Sequence, residues 1–316
     1  MTMIMPLAPT IAQEDFLSLK DYRTEEILDL LNLAIELKKP ENKYLPLLKG
    51  KVLGMIFEKS STRTRVSFEA GMLQLGGHAM FLSSQDTQLG RGETIADTAR
   101  VLSGYLDGLM IRTFHQSAVE ELAEFSSIPV INGLTDDYHP CQVLADLMTL
   151  LEHFGELKGR KLAYIGDGNN MANSLMIGAA KVGLDIAIAA PKGYEPQAEM
   201  VELAQAIAQD TGSVVTVTND PVAAVNNSDA IYTDVWASMG QEAEAIKRLN
   251  DFAGFQVNAE LVQHAKADYI FMHCLPAHRE EEVTTAILEG PHSVIFQEAE
   301  NRLHAQKAVL VTLMGD

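Results

Sequence analysis

The chain has 316 residues, enough for two domains of ordinary size, and 47% of them are hydrophobic, enough for a sizeable core. Its 24 Lys and Arg against 43 Asp and Glu give a net charge of −19, which argues against nucleic acid as a partner, because neutralising phosphates needs a basic face. An anionic small molecule stays possible, since a few local basic side chains can focus potential within a cleft. Only two cysteines are present, Cys141 and Cys274, which is no disulfide framework. Met1–Thr10 lacks the basic and apolar regions of a signal peptide, and no apolar run is long enough to span a membrane. The expectation is a reduced, soluble, cytoplasmic protein.

In chain order, Thr24–Lys38 reads as an amphipathic helix with Leu28, Leu31 and Ile35 on one face. Strand-like runs come next at Val52–Phe57, His78–Leu82, Gly108–Ile111 and Pro129–Asn132. Helix-like stretches include Arg65–Gly76, Gly92–Leu102 and Cys141–Phe154. A joint falls near residue 150, where the last of these helices ends at Gly155. Beyond it, strands are expected at Lys161–Ile165, Asp185–Ala189, Ser213–Val217, Ala230–Thr233, Tyr269–Met272 and Ser293–Phe296. A helix is expected over Pro196–Ala208, and a final one over about 302–313. Such alternation predicts an α/β chain of two lobes, 1–150 and 151–316, each a mainly parallel sheet flanked by helices. Ligands of such sheets bind beyond the carboxyl ends of the strands, so the active site is expected in the interlobe cleft.

The segments just after the strands carry the chemistry. Val52–Phe57 leads to Ser61-Thr62-Arg63-Thr64-Arg65, a polar loop entering a helix. Hydroxyls, backbone N–H groups, the positive end of a helix dipole and guanidinium groups together make a phosphate cradle. Arg112 comes after the third strand and His139-Pro140-Cys141-Gln142 after the fourth. In the second half, strands lead into Gly166-Asp167-Gly168-Asn169-Asn170, Asp234 with Ser238-Met239-Gly240, and His273-Cys274-Leu275-Pro276. Each has a plain structural alternative: an N-capped helix start, a surface arginine, a turn before a helix, a small buried thiol. Their recurrence at the same end of six strands favours a site.

Over nearly its full length the chain resembles the aspartate/ornithine carbamoyltransferase family, on the three motifs Ser61–Arg65, His139–Gln142 and His273–Pro276. Asp234 with Ser238-Met239-Gly240 resembles the ornithine branch. The resemblance implies transfer of the carbamoyl group of carbamoyl phosphate to the δ-amino group of L-ornithine. The products would be L-citrulline and phosphate, a step of arginine metabolism and amino-acid biosynthesis. It further implies that Ser61, Thr62, Arg63, Thr64, Arg112, His139, Gln142, Cys274, Leu275 and Arg302 bind carbamoyl phosphate. Gln88 would complete that site from a neighbouring subunit, in a homotrimer. Asn170, Asp234, Ser238 and Met239 would bind ornithine, and Arg112, His139, Asp234 and Cys274 would act in catalysis, by direct attack of the neutral amine through a tetrahedral intermediate. Whether Cys274 accepts the amine's proton or only orients it stays open. No metal or organic cofactor is implied, since carbamoyl phosphate is already activated. Glu280 departs from the resemblance, standing where glycine is frequent.

Four rival readings are weaker. Gly166-Asp167-Gly168 after a strand suggests a dinucleotide-binding dehydrogenase, but Met171 occupies the place of the third glycine. His139, Cys141, His273, Cys274 and His278 suggest zinc, but without the paired spacing of a structural site. A non-catalytic relative would not need every motif intact. Putrescine or an acylated ornithine as acceptor fits the Ser238-Met239-Gly240 pattern less well.

Overall fold

The computed structural model describes residues 8–84, 92–237 and 244–315. The chain divides into two compact units, one running to Met148 and resuming at Glu300, the other spanning Thr149–Ala299. Among the described residues no helix is long and apolar enough to cross a membrane.

The first unit opens with α1 (Thr24–Lys38), then alternates β1 (Val52–Phe57), α2 (Thr62–Gln74), β2 (His78–Ser83), α3 (Ile95–Ser103), β3 (Gly108–Arg112), α4 (Gln116–Phe125) and β4 (Val130–Leu134). The four strands form a parallel sheet in the order β2-β1-β3-β4. Burial of β1, β3 and β4 on both faces explains their near-continuous apolar sequences. On one face Ile56, Leu109, Ile111 and Val130 pack with Ala99 of α3 and with Val119 and Leu122 of α4. The outer strand β2 is more exposed and its sequence more mixed.

Helix α5 (Pro140–Phe154) leads into the second unit, which alternates β5 (Lys161–Ile165), α6 (Asn170–Val182), β6 (Asp185–Ala189), α7 (Ala198–Thr211), β7 (Val215–Thr218), α8 (Pro221–Val225), β8 (Ala230–Thr233), α9 (Ala245–Asp251), β9 (Ile270–His273) and α10 (Thr285–Leu288). Its five strands are parallel, in the order β7-β6-β5-β8-β9. A cluster including Ile165, Ile231, Phe271, Trp236, Phe252 and Val257 fills one side. Nearly every residue of α6 is buried, consistent with its Ala- and Met-rich sequence. The last helix, α11 (Ile295–Met314), ends within the first unit.

The strand order reverses once in each sheet, between β1 and β3 and between β5 and β8. These are the topological switch points, where the outgoing connections diverge and leave room for a ligand. The loops after β1 and β3 are therefore placed to form a site in the first unit, and the loops after β5 and β8 one in the second.

Two sequence expectations fail. Ser293–Phe296 is no strand: Ser293 makes only an isolated bridge with Phe271, and the chain turns into α11 at Ile295, where Glu298 N–H already donates to Val294 O at 2.9 Å. A four-residue run rich in β-branched residues has no periodicity to separate a strand from a helix start. The final helix is longer than expected for the same reason, so Arg302 lies well inside α11 rather than near its start. Smaller shifts occur where Pro129, which cannot donate to the ladder, gives way to a strand starting at Val130, and where β9 takes in His273.

Candidate active site

In the first unit, Ser61 is extended and caps α2: its Oγ accepts from Thr64 N–H at 3.2 Å, and its hydroxyl lies 3.1 Å from Thr64 Oγ1, to which it donates. Thr62 is exposed at the first helical position and Thr64 is buried. Arg302 reaches in from α11, donating through Nη2 to Thr64 Oγ1 at 3.0 Å and through Nη1 to Gln142 Oε1 at 2.8 Å. Gln142 in turn donates from Nε2 to Asp146 at 2.8 Å. The Thr64 hydroxyl accepts from both Ser61 and Arg302, so its own hydrogen is left as a donor.

Arg112 ends β3 beside the switch point, in register with Phe57, and is buried. Its carbonyl accepts from Glu58 and Lys59 N–H at 2.9 and 3.3 Å, which ties the turn after β1 to the end of β3. His139 is buried just before α5. Burial first, and then the fields of Arg302, Arg112 and Arg63, push its pKa well below the usual histidine value, so the ring is neutral. One helix N-terminus, three guanidinium groups, a donor hydroxyl and a neutral imidazole thus collect in a strongly acidic protein. Cys141 is placed differently. Its thiol is buried, lies 3.4 Å from Asn132 O, and is pushed up to about 12 by burial, so it packs and does not react.

In the second unit, Asp234 directly follows β8 and is buried. The Cys274 thiol donates to Asp234 Oδ1 at 3.0 Å, Val235 N–H donates to the same oxygen at 2.8 Å, and Asn169 Nδ2 donates to Oδ2 at 3.1 Å. Asn170 is the first residue of α6, immediately beyond the switch-point loop. Leu275 has a left-handed backbone, φ 57°, a cost for a residue with a Cβ, and precedes a cis proline. Its N–H donates to His273 Nδ1 at 2.9 Å, which leaves the ring proton on Nε2, 3.1 Å from Glu282 Oε1. His273 N–H donates to the buried Glu298 at 2.9 Å. Two buried carboxylates thus brace the turn that presents Cys274 and Leu275.

Of the residues expected in the site, Ser61, Thr64, Gln142 and Arg302 are joined by hydrogen bonds, with Arg63, Arg112 and His139 electrostatically linked to them. Asp234 and Cys274 touch, with Asn170 at the start of α6 and Leu275 next to Cys274 in the turn after β9. Gln88, Ser238 and Met239 lie outside the described residues. Sequence reasoning missed Asn169, Glu282 and Glu298. Asn169 carried a signal, as an asparagine opening a helix, whereas the two glutamates act on residues distant in sequence and carried none.

A Cβ on Gly168 would lie 2.2 Å from Pro196 N, so this glycine serves close backbone packing within the unit. Among the described residues two groups bring ligand-type atoms within 4.8 Å of one another, Asp234 with His273 and Cys274, and His278 with Glu281 and Glu282; both ring nitrogens of His273 are already hydrogen-bonded.

Two family profiles cover the chain: the aspartate/ornithine carbamoyltransferase carbamoyl-P binding domain matches residues 14–152, and the Asp/Orn binding domain of the same family matches residues 158–313. The chain belongs to the aspartate/ornithine carbamoyltransferase family. Among its relatives, the ornithine carbamoyltransferase of Anoxybacillus flavithermus is 64% identical over 304 residues, covering 95% of this chain and 96% of that protein. That of Bacillus subtilis is 64% identical over 301 residues, covering 95% and 94%. The solved ornithine carbamoyltransferase from Pyrococcus furiosus superposes with a TM-score of 0.93 at 54% identity, over 97% of this chain and 99% of that one.

Proposed function

We propose that this chain is an ornithine carbamoyltransferase, joining carbamoyl phosphate and L-ornithine to give L-citrulline and phosphate. The observation that carries the reading is the 64% identity to ornithine carbamoyltransferases over 95% of the chain. The arrangement of side chains supports it residue by residue.

In this reading the first unit binds carbamoyl phosphate. The N-terminus of α2, with Ser61, Thr62, Arg63 and Thr64, holds the phosphate dianion, and Arg112 spans phosphate and carbonyl oxygen. His139 stays neutral and donates to the carbamoyl oxygen, as Arg112 and Thr64 do, so charge developing on that oxygen meets donors already in place. Gln142, oriented by Arg302 and Asp146, faces the carbamoyl amine, as does the Leu275 carbonyl. Arg302 adds a third guanidinium to the phosphate half.

The second unit binds ornithine, with Asn170, Ser238 and the Met239 backbone on the α-amino acid end and Asp234 on the side-chain ammonium. The amine attacks only after losing a proton. Asp234 and the Cys274 thiol, already in contact, flank it and take part in that loss. The neutral amine adds to the carbonyl carbon, the attacking nitrogen gives its extra proton to the departing phosphate, the tetrahedral intermediate collapses as the C–O bond to phosphate breaks, and phosphate leaves with the electron pair as the hydrogen phosphate dianion. The chain needs no organic cofactor for this, as the phosphate is the leaving group. A cytoplasmic homotrimer with Gln88 donated across the subunit interface belongs to the same proposal, and light scattering of the purified protein tests the assembly.

The deciding experiment is carbamoylation of a panel comprising ornithine, acetylornithine, putrescine, lysine and aspartate, each product identified by mass. Ornithine is expected to exceed every other acceptor in kcat/KM. Preference for putrescine or acetylornithine would overturn the substrate and spare the phosphate half.

A further inference from the structure

The amide of Asn169 has two ends and both are occupied. Its Oδ1 accepts from Met171 N–H at 2.9 Å and Ala172 N–H at 3.3 Å, which caps α6, and the Tyr164 hydroxyl stands 3.3 Å away. With donors on the oxygen, the Nδ2 end must face the other way, where Asp234 Oδ2 lies at 3.1 Å. The orientation of the amide is therefore set by the helix it caps. Tyr164 is fully buried, stacks on Tyr232 and also bonds Asp167 O at 3.0 Å, so the support is rigid.

The Asp234 carboxylate needs this. The Val235 N–H and the Cys274 thiol both engage Oδ1. Held at one oxygen only, the group would turn about its Cβ–Cγ bond; a donor on Oδ2 fixes its plane. We infer that Asn169 is a positioning residue for the acceptor-substrate half of the site, its side-chain amide locking the Asp234 carboxylate to the N-terminus of α6. The inference rests on the proposed carbamoylation of ornithine, since it assigns to Asp234 the substrate's ammonium group.

The test uses two variants of the full-length protein. Asn169→Asp keeps the helix cap, because aspartate caps as well as asparagine, but replaces the donor facing Asp234 by a second carboxylate. Asn169→Ser keeps a capping hydroxyl and is too short to reach Asp234. Both are expected to lose about ten- to a hundredfold in kcat/KM for ornithine, the range for a hydrogen bond to a charged group, with KM for carbamoyl phosphate within about twofold of the parent. The aspartate variant carries a further signature. Between about pH 6 and 9 its defect deepens as pH rises, because at the lower end a proton shared between the two carboxylates restores a donor. Asp167, paired with Arg248, Tyr164 and Cys274 also face this cluster, and all are unchanged in both variants. A purely structural cap would leave Asn169→Asp at parental activity at every pH, and that result overturns the inference. So does an equal loss for both substrates in Asn169→Ser. If Asn169→Asp fails to fold, the serine variant alone decides between the two outcomes. Should the parent protein not carbamoylate ornithine at all, the functional reading itself fails, a result distinct from either variant outcome.

Discussion

At Arg302 one guanidinium donates to both the Thr64 hydroxyl and the Gln142 amide oxygen. Its planar fork suits that geometry, whereas an ammonium is a single point charge. Arg302→Lys is expected to raise KM for carbamoyl phosphate on the order of tenfold, with a much smaller change for ornithine, in steady-state kinetics with the other substrate saturating. Glu280 gives a second residue-scale test. Its φ of 66° lies in the left-handed region, which explains why glycine suits this position, and its carboxylate accepts from Thr285 N–H at 2.8 Å. Glu280→Ala loses that bond and keeps the backbone cost; Glu280→Gly loses the bond and relieves the cost. The glycine variant is expected to melt above the alanine variant, and the reverse order in a thermal denaturation would refute the account.

At the scale of elements, the short loop from β1 to α2 does two things at once. Ser61 closes the first turn of α2 and helps leave the Thr64 hydroxyl as a donor. Ser61→Ala is expected to cost about 1 kcal/mol of stability, the usual worth of a cap, measured by urea denaturation. Carbamoyl phosphate should protect the variant less than it protects the parent. Most elements are legible in the sequence because they are periodic and punctuated: Thr24–Lys38 and the strands β1, β5, β6 and β8 fall where the pattern puts them. Ser293–Phe296 is not, since a run of four residues, three of them apolar, fits two secondary structures and tertiary packing decides between them. In the site, the contiguous motifs are visible because hydroxyl, guanidinium and imidazole groups cluster along the chain. Glu282 and Glu298 are invisible, as their partners lie on the strand end at His273 and only folding brings them together.

Across the whole molecule, charge is distributed against the average. An acid-rich chain places Arg63, Arg112 and Arg302 together and buries Lys307 completely in the same unit, where its Nζ donates to Lys43 O at 3.1 Å, Gln74 Oε1 at 3.3 Å and Leu37 O at 3.4 Å. Burial lowers the Lys307 pKa from 10.5 to about 8. Between those values the unfolded chain holds more protons than the folded one, so this residue makes stability rise with pH through that window, and its contribution is flat below about 8, where both states are protonated. Lys307→Met is expected to flatten this rise in the melting temperature measured from about pH 7 to 10.5. An unaltered slope would show that the lysine does not titrate there.

The two cysteines sit in opposite surroundings, and this makes the folded chain selective toward thiol reagents. Cys141 is sealed in the interior, whereas Cys274 is partly open to solvent beside Asp234. Native protein treated with iodoacetamide should therefore gain one adduct, at Cys274, and denatured protein two. A reporter group attached by the same chemistry would sit at the acceptor half of the site, so occupancy there becomes readable as fluorescence without following turnover.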